Sequence, residues 1–179
     1  MRRGVGIAGV LCLLCATGAA AGDTAADRLF ERLRRLAGNW EGTLEWSQGR
    51  TGSGKLTARY YLTGNGSAIV EDLLMGDEPT MTTVYHLDGA DLRMTHFCGA
   101  RNQPRLKAVR INDSAGIAEF TLVDVTNVGP KNPGYVEAFF IHILDADNLN
   151  LRFTFHGAPG IAGVENIVLR RIRSKTSTP

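Results

Sequence analysis

From Trp40 onward, apolar side chains recur at every second position in short segments, each closed by Gly, Asn, Asp or Pro. This is the period of a strand, because successive side chains of an extended chain point to opposite faces. The first segment, NWEGTLEWS (39–47), sets Trp40, Leu44 and Trp46 on one side and Glu41, Thr43 and Glu45 on the other. Similar segments follow at about 55–63, 67–75, 81–87, 92–98, 105–111, 117–125, 135–144, 149–156 and 164–173. Ten strands joined by short turns predict an all-β, up-and-down antiparallel β-barrel, since a meander that closes on itself leaves no exposed edge.

One helix precedes the strands. DTAADRLFERLRRLA (23–37) places Ala26, Leu29, Phe30, Leu33, Leu36 and Ala37 on one stripe, with Asp23 or Thr24 as the cap and Gly38 as the stop. A helix this short needs a surface to cover. Before it, Arg2 and Arg3, an apolar run and Ala19-Ala20-Ala21 have the pattern of a cleaved export signal. The expected organisation is a signal peptide at 1–21, the helix at 22–38, the barrel at 39–173 and a disordered tail at 174–179. The mature chain is then expected to be secreted or periplasmic, without stable membrane insertion. Losing Arg2 and Arg3 reduces 20 basic residues to 18, equal to the 18 acidic ones. No basic field calls for nucleic acid, and the closing LRRIRSK reads as a strand end entering solvent. Cys12 and Cys15 leave with the signal, so Cys98 is expected to stand alone without an internal disulfide.

Two hairpins assign faces. If DGAD joins Leu87 to Leu92, then Thr83, Tyr85 and Leu87 share a face with Leu92, Met94, His96 and Cys98. If DADN joins Leu144 to Leu149, then Ala138, Phe140, His142 and Leu144 share a face with Leu149, Leu151, Phe153 and Phe155. A slip of one residue would reverse either assignment. The loop GARNQPR (99–105) follows the first face, and Asn102, Gln103 and Arg105 could form a polar rim with Arg105 holding a carboxylate. DVTNVGPKNPGY (124–135) is a longer connection, either a lid over the same opening or an exposed loop.

The segment LAGNWEGT (36–43), following a short helix, resembles the Gly-x-Trp start of lipocalin-like barrels. The resemblance implies that Trp40 closes the base of the barrel over the helix. The same Trp-Glu-Gly is also similar to the start of nitrobindin-type ten-stranded barrels, which implies haem as a possible cofactor.

The functional expectation is a binding protein holding a small, largely apolar molecule. Its expected lining is Trp46, Tyr85, Met94, His96, Phe140, His142, Leu151 and Phe153, with Cys98, Asn102, Gln103 and Arg105 towards the rim. One alternative is a haem or metal site using His96 or His142. Another is an enzyme with His96 as acid or base and Cys98 or Asn102 beside it. Other chemistries lack their signatures. GRTGSGKL (49–56) is nearly a phosphate loop, but it has Leu56 where Ser or Thr should hold magnesium and reads strand to strand. No Gly-x-Ser-x-Gly or His-Glu-x-x-His occurs, and no Cys-x-x-Cys follows the signal. The ligand's identity and the oligomeric state are open at this point.

Overall fold

Each alternating segment forms a strand. In the computed structural model, which describes residues 23–173, helix α1 (Ala25–Arg34) precedes β1 (Gly38–Ser47), β2 (Gly52–Thr63), β3 (Ala68–Met75), β4 (Glu78–Asp88) and β5 (Asp91–Phe97). The chain continues through β6 (Gln103–Asn112), β7 (Ile117–Thr126), β8 (Tyr135–Ile143), β9 (Asn148–His156) and β10 (Gly163–Arg171). The expected signal peptide, with Cys12 and Cys15, and the expected tail lie outside the described residues. Consecutive strands pair antiparallel, and β1 closes on β10 from Trp40↔Arg171 to Ser47↔Val164. The protein is therefore a closed ten-stranded antiparallel barrel, lipocalin-like in fold. The phosphate-loop lookalike is the β1–β2 hairpin, where Gln48 and Gly49 take positive φ and β2 resumes at Gly52.

The helix closes one end. Thr24 caps it by accepting a hydrogen bond from the Asp27 amide at 3.1 Å, while the Asp27 carboxylate accepts from the Thr24 amide at 2.8 Å. Its buried face is Ala26, Leu29, Phe30 and Leu33. Arg32 donates to the carbonyls of Asp113, Ser114 and Ile143, tying the helix to the β6–β7 turn and the end of β8. The helix ends three residues earlier than its apolar stripe. Leu36 stays buried in the turn that follows, and its carbonyl accepts from Trp40 Nε1 at 2.9 Å. Trp40 is fully buried at this base, edge-on to Tyr60, with the Arg171 guanidinium 4.4 Å above its ring. Arg171 also donates to the carbonyls of Arg35, Ala37 and Ala146, each at 2.8 Å. One residue of the basic C-terminal run thus ties the turn after the helix to the β8–β9 turn.

The core is the barrel interior, where cross-strand pairs determine which side chains meet. Tyr85↔Met94, Leu87↔Leu92 and Thr83↔His96 lie in register across the two-residue Gly89-Ala90 turn, so this face points inward. The second hairpin does not follow its expected register. Ile143 pairs with Leu149, and Val136, Phe139, Ile141 and Ile143 face the core. Ala138, Phe140, His142 and Leu144 therefore face outward. Phe140 lies beneath the Arg152 guanidinium and beside His142, and Leu144 is exposed. The loop is one residue longer than expected, and an irregularity between Val136 and Ala138 shifts the pairing.

Candidate ligand site at the open end

Alternate turns of a meander lie at the same end, so the end opposite the helix is framed by the β1–β2, β3–β4, β5–β6, β7–β8 and β9–β10 connections. It holds a cavity of about 390 Å³. Trp46, Met81, Phe155 and Ile161 supply apolar wall, Cys98, Gly99 and Ala100 come from the β5–β6 connection, and Lys131–Gly134 come from the long β7–β8 loop. Arg50 and Glu165 add charge. Trp46 and Phe155 are in aromatic contact, with centroids 5.0 Å apart, and the Arg50 guanidinium lies 3.4 Å above the Trp46 ring. A larger depression, about 700 Å³, lies along the outer wall among Glu41, Thr43, Lys55, Thr57, Val168 and Arg170. These residues point away from the core, whereas the smaller mouth cavity is walled by inward-phase residues such as Phe155 and Glu165.

Glu165 is the unusual wall residue. It follows the inward phase of Ile167 and Leu169, is only 3% exposed, and its Oε2 has no hydrogen-bond partner. Burial pushes its carboxyl up to about 7, opposed by the nearby Arg50 charge. Asn102 donates from Nδ2 to the Gly134 carbonyl at 2.7 Å, fastening the β5–β6 connection to the β7–β8 loop, while its Oδ1 is buried without a partner. Cys98 lies at the cavity wall above His96, and burial pushes its thiol up, which keeps it from being a ready thiolate.

Deeper in the barrel, register places Tyr60, Glu71, Thr83 and His96 in one row across β2 to β5. The hydroxyls of Tyr60 and Tyr85 both donate to Glu71 Oε2, at 2.6 and 2.9 Å, and Glu71 Oε1 is buried without a partner. Burial pushes Glu71 up to about 7 despite those donors. Thr83 Oγ1 lies 2.9 Å from His96 Nδ1, and the His96 ring lies tilted against Phe153. Burial lowers the imidazole to about 3, so it stays neutral at ordinary pH.

The expected site residues therefore separate. Tyr85, Met94, His96, Leu151 and Phe153 lie inside the barrel, while Trp46 and Cys98 line its mouth. Phe140 and His142 are corrected to the outer surface. Gln103 and Arg105 are also corrected: Gln103 accepts from Thr126 and Asn127, and exposed Arg105 forms a two-pronged pair with Asp124 at 2.5 and 2.8 Å. Strand alternation sends both outward, out of phase with the buried Asn102 and Pro104. His96 and His142 thus do not share a cavity, and no cluster of three or more His, Cys, Asp or Glu suited to a metal occurs among the described residues. His96 Nε2 is buried without a hydrogen-bond partner and lies outside the mouth lining. An acid or base role for His96 lacks an orienting carboxylate, since its resolved partner is the Thr83 hydroxyl.

Sequence reading did not single out Glu71, Glu165 or Arg50. The signal was present for Glu165, which is in phase with apolar Ile167 and Leu169. In AIVEDLLM (68–75) both phases are apolar around adjacent acids, so alternation does not say which acid enters the core.

The fold and the mouth define a class, a closed barrel with a small cavity at one end. No family model and no curated protein matches the chain. Among solved structures, it is similar to a DUF3598-family protein of unknown function from Nostoc punctiforme, with 12% identity and a TM-score of 0.53 over 77% of this chain. The chain spans about half, 48%, of that protein. Rv2717c from M. tuberculosis aligns at 15% identity with a TM-score of 0.49, covering 81% of this chain and 98% of its own. These likenesses concern the fold.

Proposed function

We propose that this barrel is an exported binding protein, secreted or periplasmic, whose mouth takes up a small, largely apolar molecule. The supporting observation is the cavity of about 390 Å³ walled by Trp46, Met81, Phe155 and Ile161. Its size falls within the few-hundred-cubic-ångström range of small-molecule sites, and an apolar wall with few polar groups is their usual composition. Binding there removes apolar area from water at about 25 cal/mol per Å². The test is titration with the neutral fluorophore N-phenyl-1-naphthylamine, read by probe enhancement and tryptophan quenching. Uptake by the wild type, with at least tenfold weaker uptake by Ala100→Trp at unchanged melting temperature, is expected. No uptake by the wild type, or equal uptake by the plugged variant, overturns the reading.

A further inference from the structure

The mouth cavity already contains an organic cation of the protein's own. The planar Arg50 guanidinium sits 3.4 Å above Trp46, within the distance at which a cation is attracted to an aromatic face. Glu165 forms part of the same cavity, and the nearby Arg50 charge acts on its carboxyl without an ion pair between them. Glu165 Oε2 is buried without a partner, an arrangement that leaves one strong acceptor unsatisfied. Asn102 Oδ1 is a second buried acceptor without a partner, on the side chain that holds the cavity residue Gly134. Aromatic walls beside unsatisfied acceptors suit a ligand that combines an apolar body with N–H donors.

Resting on the reading of the mouth as the ligand site, we infer that it selects amines, with the ligand's ammonium group bound by Glu165, its body against Trp46 and Phe155, and Arg50 acting as a displaceable occupant. Arg50 lies on the short β1–β2 connection and is held by stacking and by attraction at a distance. An entering amine takes over both interactions and adds a charge-assisted hydrogen bond to the carboxylate, which Arg50 does not make. The charged or titratable groups around the cavity are Glu165 from β10, Arg50 from the β1–β2 connection, Lys131 from the β7–β8 loop and Cys98 after β5. Arg50 and Lys131 oppose a second cation, so Arg50 must swing out for binding to gain. An anionic ligand would instead need Arg50 in place, which gives the two choices opposite responses to its removal.

The experiment compares 2-phenylethylamine, 2-phenylethanol and 3-phenylpropionate by calorimetric titration at pH 8, using the mature protein. The expected result is that the amine binds at least tenfold tighter than either of the others. Glu165→Gln should remove that preference while leaving the alcohol's affinity within twofold, and Arg50→Ala should strengthen amine binding severalfold. Amine affinity should also rise as pH increases through about 7, where Glu165 ionises. Tightest binding by the carboxylate, weakened by Arg50→Ala, overturns the amine assignment while leaving the binding barrel intact. Equal binding of all three compounds does the same. Failure of all three, together with failure of the naphthyl probe, overturns both readings.

Discussion

Glu71 and Glu165 are carboxyls inside the barrel wall, and burial pushes each from the usual carboxylate range to about 7. A folded-state value above the unfolded one means that folding takes up protons. Their relative contribution is fully present below about 4.5 and is lost as pH rises through about 7. His96 works in the opposite direction: held near 3 against an ordinary 6.5, it costs stability as pH falls below 6.5. Comparing wild type with Glu71→Gln cancels the His96 and Glu165 contributions. The variant, whose amide oxygen can still accept from Tyr60 and Tyr85, should gain stability relative to wild type between pH 4.5 and 8, by on the order of 3 kcal/mol. Urea unfolding across that range measures it, and parallel pH profiles would show that Glu71 does not titrate in this way.

The short helix would be marginal alone, and Arg171 joins Trp40 and Arg32 in tying its C-terminal end to the barrel. The guanidinium stacks on Trp40 and donates to three carbonyls from two separate turns. Replacing it with alanine should cost about 2–4 kcal/mol, the order expected for losing several hydrogen bonds and a cation–π contact. Lysine should restore less than half of this, because one ammonium cannot reproduce the planar fork. Chemical denaturation reads both values, and a fully stable Arg171→Lys protein would show that charge alone matters. Most of this base was legible in the sequence: the amphipathic stripe, the cap and Trp40 were all visible. The role of Arg171 was not, because a basic strand end and an anchoring arginine look alike until the chain closes.

Closure joins the first strand to the last, and Gly42 lies at that seam. A β-carbon there would sit 1.9 Å from the Val168 carbonyl oxygen, so backbone itself excludes a side chain. Gly42→Ala should therefore cost more than about 3 kcal/mol, at or beyond the upper end of ordinary overpacking. Gly54→Ala is the control. Its β-carbon would meet only Leu44 and Met75 at ordinary distances of 4.0 Å, so it should stay within about 1 kcal/mol. Melting and denaturation curves decide between them, and equal loss in both would mean that the close approach at the seam is not what excludes a side chain.

The sequence by itself determined the ten strands, the helix before them and the β4–β5 face carrying Tyr85, Met94 and His96. Period-two patterning and turn chemistry are local, and a two-residue turn sets its own register. Only the tertiary structure decided the face of β8. In YVEAFFIHI both phases carry large apolar residues, and the irregularity after Val136 puts Val136 and Phe139 on one side. Local pattern could not separate Phe140 and His142 from the core, because either phase offers similar apolar burial. Tertiary closure also made the mouth, bringing Arg50, Cys98, Asn132 and Glu165 from distant parts of the chain to one cavity. Such meetings depend on strand register summed around the whole barrel, a quantity that no short stretch of sequence contains.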